Sequence, residues 1–177
     1  DLPDGWLRST LPGGADPALA SQIRERLAGV EDVAHGRWSG TLARLAPDGY
    51  DRGFVTGTRL VALDASPAAL RQGPASIDVW EHLTPYGSID GELQREWAAA
   101  AADGSVTIVR ASRVPHPAGP AARITVTVSD EDRATLVDRW LFRCGSLAYE
   151  LSCVAGTAGP DYQPVFEAIA ASFVPPG

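Results

Sequence analysis

Hydrophobic and polar positions along this chain change their period midway, from helical spacing near the start to strand-like spacing in the second half. Leu19, Ile23, Leu27 and Val30 recur at helical spacing behind Asp16 and Pro17, which supply an N-cap and a first helical residue. With Gly29 as the stop, the pattern predicts a helix over 17–28. A second helix is expected over 36–46, with Trp38, Leu42 and Leu45 on one face, Gly40 inside it and the breaker Pro47-Asp48-Gly49 after it. β-Branched content rises over 54–63, and apolar and polar residues partly alternate over 76–83. Both stretches read as strands, joined by a connection over 66–74. The next helix is capped by Ser88 or Asp90, carries Ile89, Leu93, Trp97 and Ala101 at four-residue spacing, and ends at Asp103-Gly104.

Four strand-like stretches follow, over 105–114, 121–129, 135–144 and 147–154. Their separators are turn chemistry: Pro115-His116-Pro117-Ala118-Gly119-Pro120, Ser129-Asp130-Glu131-Asp132 and Gly145-Ser146. Connections this short cannot cross over a sheet, so the stretches form an antiparallel meander. A closing helix over 162–171 gathers Tyr162, Val165, Phe166, Ile169 and Phe173 on one side.

A two-residue turn at Gly145-Ser146 sets the register of the last hairpin. Cys144 then faces Leu147, Phe142 faces Tyr149 and Trp140 faces Leu151, all on one apolar face. The opposite face carries Arg139, Leu141, Arg143, Ala148, Glu150 and Ser152, with Glu150 near both arginines as a surface pairing. The expected fold is therefore α+β: an antiparallel sheet of about six strands with helices packed on it. One domain spans 1–177, with a helical N-terminal part at 1–53 and the sheet and closing helix at 54–174.

Composition narrows the function classes. A 177-residue chain with 45% hydrophobic and 21% charged residues holds a core without metals or disulfides, because a domain this long buries about 70% of its unfolded surface. The charge is −7, and all 15 basic residues are Arg. Nucleic acid is excluded as an expected partner, since backbone binding needs a basic face, and anionic membrane surfaces are disfavoured for the same reason. The absence of Lys removes phosphate-loop lysines, Schiff bases and Ser–Lys pairs. No run of 18 apolar residues occurs, so no membrane insertion is expected. The start Asp1-Leu2-Pro3-Asp4-Gly5 has no signal-peptide pattern and the thiols suit a reducing compartment, which favours the cytoplasm. A chain that does not begin with Met is also compatible with a removed signal and a secreted or envelope location.

The run from the Trp97 helix to the end, with its proline- and glycine-rich link before Ala122-Arg123, its further strands and a final helix closing on Ala170-Ala171-Ser172-Phe173, resembles the PsbP-like/DcrB-like fold group, including the LpqN-type actinobacterial lipoproteins. The resemblance covers about residues 76–174, and Pro3-Asp4-Gly5-Trp6 ahead of two helices looks like actinobacterial proteins of the same layout. It implies an α/β/α arrangement and a non-enzymatic role as a partner-binding accessory factor, chaperone or envelope lipoprotein. No functional residue carries over, and a lipoprotein's N-terminal Cys is missing. The absence of Lys, Met and Asn fits the GC-rich coding of such sources.

No recognisable catalytic or metal-binding constellation stands out in the chain. Cys144 and Cys153 share a face but are offset along the strands, which favours buried free thiols over a disulfide. Neither Asp32-x-x-His35 nor Glu81-His82 offers metal-ligand spacing, and His116 between prolines is expected in solvent. Gly87-Ser88-Ile89-Asp90-Gly91 fails as a nucleophile elbow, Asp130-Glu131-Asp132 fails as a calcium loop, and the glycine-rich 156–161 reads as a connection. No catalytic residue, cofactor or metal is assigned. Trp80 and His82 share one face of their strand, which is either covered by a helix or open for binding, with Tyr86 just beyond. The first functional expectation is thus a non-enzymatic protein that binds a partner protein. The alternatives are a binder of a small apolar ligand or lipid, and an enzyme whose site is assembled around Glu81 and His82 or around Arg110 and Arg113. Oligomeric state has no signal in the sequence.

Overall fold

In the computed structural model, the hairpin register deduced above organises the sheet. The structure describes residues 2–9, 16–30, 32–45, 59–83, 88–130, 133–144, 147–157 and 160–175. In chain order they form β1 (Trp6–Arg8), α1 (Pro17–Leu27), α2 (Asp32–Arg44), β2 (Arg59–Asp64), α3 (Pro67–Gln72), β3 (Ser76–Leu83), α4 (Ile89–Ala102), β4 (Val106–Val114), β5 (Ala121–Asp130), β6 (Arg133–Cys144), β7 (Leu147–Gly156) and α5 (Gln163–Ser172). The seven strands make one sheet in the order β1-β2-β3-β7-β6-β5-β4, with every neighbouring pair antiparallel. Phe142 pairs with Tyr149, Trp140 with Leu151 and Cys144 with Leu147, as the turn chemistry requires.

Two elements depart from the expectation. Strand β1 is the seventh strand, drawn from a segment read as helical; it is only three residues long, and its pairing with Ala62, Leu63 and Asp64 is a tertiary event. Gly5 turns the chain into it at φ 90°, lying close to Ser66, and its carbonyl accepts a hydrogen bond from the Ala65 amide at 3.1 Å. Helix α3 replaces the expected connection over 66–74. Ser66 caps it by accepting from the Ala69 amide at 3.3 Å, Pro67 opens it, and Gly73 ends it at φ 113°. Helix α2 also starts four residues before the expected position 36.

Alternation divides the sheet into two faces. One carries Ala62, Ile77, Ala121, Trp140, Phe142, Tyr149, Leu151 and Cys153, and α5 lays Phe166 and Ala170 on it. Phe166 and Cys153 are fully buried. Within this core Asp138 accepts from Arg123 Nε at 2.9 Å, Thr125 Oγ1 at 2.7 Å and Trp140 Nε1 at 3.3 Å, while Arg123 also donates to Glu167 of α5 at 2.6 Å. Tyr162, just ahead of α5, donates its hydroxyl to Asp64 at 2.7 Å. The second cluster joins α1, α2 and α3 through Leu19, Ile23, Leu27, Trp38, Leu45 and Leu70, and takes in Leu63, which alternates with Ala62 and so belongs to the other face. The chain leaves β3 beside β7 and must reach β4 at the far edge. Helix α4 makes that passage over the face opposite α5.

Candidate functional site

Helix α4 is positioned by its caps: Ser88 Oγ accepts from the Gly91 amide at 3.1 Å, and the Asp103 amide closes the last turn on Ala99. Its inward face differs from the one the four-residue spacing implies. Steps of four residues rotate about 40° beyond a full turn each time, so Trp97 sits about 80° from Ile89 around the helix. Ile89 is buried, whereas Trp97 is 53% exposed. The inward stripe of α4 runs instead through Ile89, which is buried, and Glu92, Leu93, Glu96 and Ala100, which are half-buried.

Glu96 explains this choice, because it receives both terminal nitrogens of Arg139, one of them at 3.0 Å. Burial works against the charge on Arg139, but Glu96, with Glu150 and Glu92 nearby, more than offsets it and raises its pKa. Glu150 stays near Arg139, as the hairpin register implies, while the hydrogen-bonded partner of Arg139 is Glu96 of α4. Arg95 pairs with Glu92 one turn away.

Between α4 and the β6–β7 hairpin lies a trough of about 290 Å3. Its floor is Leu141 and Ala148, with Ile89 and Ala99 along the helix side, and Glu92, Arg95, Glu96, Arg143 and Glu150 form the rim. Ser88, Arg95, Ala99 and Arg143 are exposed, so the trough opens to solvent on one side. A second hollow of about 360 Å3 shares the wall made by Ser88, Ile89 and Arg143, and adds Arg113 and Pro120. Arg113 holds Asp90 through two nitrogens, Nε at 2.7 Å. That bond, and the guanidinium charge after it, keep the Asp90 carboxyl below its usual range.

The candidates from the sequence are dispersed. Glu81 pairs with Tyr149 and His82 with Ala148, so these neighbours belong to opposite faces of the sheet. Arg110 and Arg113, across from Thr125 and Ala122, are split in the same way. Trp80 is half-buried; Tyr86 and the side chain of His82 lie outside the described residues. His35 donates Nε2 to the Leu27 carbonyl at 2.9 Å and so ties α2 to α1.

His116 corrects the expectation of a solvent-exposed turn residue. Its Nδ1 accepts from the Ala118 amide at 3.1 Å, which leaves Nε2 to donate to the Ala170 carbonyl of α5 at 3.0 Å, and its ring meets Phe142 edge-on at 4.7 Å. Cys153 is a free thiol whose pKa is pushed up by burial and by the charges of Asp138 and Asp78; the side chain of Cys144 lies outside the described residues. In the loops over 130–132 and 156–161, residues 131, 132, 158 and 159 are likewise outside them. Among the described residues no group of three His, Cys, Asp or Glu side chains is placed to hold a metal ion, and no helix is long and apolar enough to cross a membrane.

The trough's floor was legible as the hairpin's second face, but its helical wall was not. No protein-family model matches the chain, and no curated protein matches it. Among solved structures it is similar to a Pseudomonas aeruginosa protein of unknown function, described as a suggested regulator. The two are 12% identical with a TM-score of 0.54, over 63% of this chain and 79% of that one. A likeness at that identity is a likeness of fold: an α+β domain built on an antiparallel sheet.

Proposed function

We propose that this chain is a non-catalytic binding domain, an accessory or chaperone-like protein that holds a segment of a partner protein in the trough between α4 and the β6–β7 hairpin. The observation that carries this reading is the combination of an apolar floor, Leu141 and Ala148, with a rim bearing both signs of charge and one side open to water. Protein interfaces have that composition, an apolar centre within a polar rim. A small apolar ligand fits less well. Its pockets enclose about 70–90% of the ligand within about 300–1,000 Å3, and this trough is at the lower limit and open. The reading agrees with what the PsbP-like/DcrB-like resemblance implies, and the net charge of −7 directs it to protein rather than nucleic acid.

The test fills the trough. Ala148→Phe places a ring over the floor without touching the core beneath α5. Wild-type protein recovered from host cells is expected to carry a protein partner in stoichiometric amount, and the folded variant to lose it. A stoichiometric small molecule, released by Ala148→Phe and detected by native mass spectrometry, is the result that overturns the proposal.

A further inference from the structure

Helix α4 is inverted in its polarity. Its sides toward the sheet and the trough carry Glu92, Arg95 and Glu96, while the flank turned away from the trough carries Gln94, Trp97, Ala98 and Ala101, all exposed. At about 100° per residue, Trp97 and Ala101 lie about 80° and about 120° to one side of Ile89, and Glu92 and Ala99 lie about 60° and about 80° to the other. The helix packs on β4 and β5, and the trough lies between it and the β6–β7 hairpin, so the Trp97 flank overlooks β4, the edge strand of the sheet. The bond from Arg113 of β4 to Asp90, which is on the same flank, fixes that orientation. Among the described residues three large apolar side chains are exposed, and two of them belong to this edge: Trp97 at 53% and Val109, at the irregularity in the β4 pairing, at 63%.

We infer that a second copy of the chain docks on this edge, across a twofold axis that lays the two α4 flanks antiparallel beside the two β4 strands. A twofold contact requires a patch that complements itself. Helix α4 supplies both halves, the bulky ring of Trp97 and the small side chains of Ala98 and Ala101 that receive the ring of the other copy. Charge does not oppose the approach, although each chain carries −7. The flank's one carboxylate, Asp90, is neutralised by Arg113, and Arg110 of the edge strand stands within electrostatic reach of Glu167. A nine-residue strand is about 30 Å long, and a helix layer on a sheet layer is about 20 Å deep, so the contact buries about 600 Å2 per copy or about 1,200 Å2 in all. That is the lower limit for a specific interface and corresponds to a weak dimer, with a Kd on the order of 10–100 µM. At low micromolar concentration the chain is therefore a monomer. The trough is on the opposite flank of α4 and stays open in the dimer, so the inference is independent of what the trough binds.

Sedimentation equilibrium of the full chain from about 2 to about 500 µM tests this. The mass is expected to rise from one chain toward two. Trp97→Ser and Ala101→Glu, both at exposed positions, should stay folded by circular dichroism and each weaken association at least about tenfold. Ala148→Phe, which fills the trough on the other flank, should leave the dimer unchanged. A chain that stays monomeric throughout, an association that both flank variants leave intact, or a dimer lost in Ala148→Phe overturns the inference. So does a different protein recovered from host cells by the wild type and lost in Trp97→Ser but kept in Ala148→Phe, because the flank is then that protein's site.

Discussion

Removing the Asp138 carboxylate is expected to destabilise the protein severely while leaving it folded. Asp138 and Arg123 are 1% and 5% exposed at the side chain, and Asp138 accepts four hydrogen bonds: two from Arg123, one from Thr125 and one from Trp140. In Asp138→Ala the Arg123 guanidinium keeps its charge inside the core with Glu167 as its remaining carboxylate, and Glu167 is 44% exposed. Breaking a buried pair from one side costs about 3–5 kcal/mol. Domains of this size hold about 5–15 kcal/mol of stability and lose about 2–4 °C of Tm per kcal/mol, so the variant should melt about 6–20 °C below wild type. Arg123→Met with Asp138→Leu removes both charges together and should be more stable than Asp138→Ala, although both variants leave the Thr125 and Trp140 donors without their acceptor at about 1–3 kcal/mol each. Urea unfolding followed by far-ultraviolet circular dichroism measures both. If the double variant is no more stable than Asp138→Ala, an uncompensated buried charge is not what the single variant suffers.

Three further outcomes follow from the same packing. Cys153, buried with its pKa raised, should resist Ellman's reagent at pH 8 in the native state and react once urea unfolds the chain; fast native labelling refutes its placement under α5. Glu167 is held below its ordinary value of 4.5, first by the hydrogen bond from Gln163 and then by Arg123. A depressed carboxyl pKa contributes stability that is present above 4.5 and is lost as the pH falls through its folded value. Glu167→Gln should therefore lower stability at neutral pH and flatten the loss as the pH falls below 4.5, and an unchanged acid limb contradicts the pairing. Trp97→Ser should change stability by no more than about 0.5 kcal/mol, whereas a loss of about 3 kcal/mol marks Trp97 as a core residue.

The strands of the second half were legible because period-two alternation and short turns leave few alternatives. Once Gly145-Ser146 is a tight turn, the pairing of Phe142 with Tyr149 and Trp140 with Leu151 follows. The capping of α1 by Asp16 and of α4 by Ser88 was equally local. Helix α3 carried the same signals in Ser66, Pro67 and Gly73, yet at six residues it is too short to stand out by periodicity.

What the sequence by itself determined is therefore most of the longer elements, the register of the last hairpin and the apolar face beneath α5. Tertiary structure alone decided how those pieces meet. It placed β1 on the edge beside β2, turned α4 so that Glu96 meets Arg139 and Trp97 meets water, and brought His116 under Ala170. The division has a physical cause. Capping, turn geometry and alternation act over a few residues, whereas the rotation of α4 is set by an ion pair spanning 43 positions and the seating of His116 by a hydrogen bond spanning 54. The trough belongs to the second kind, because its floor is a hairpin face and its wall a helix that reaches it only after crossing the sheet.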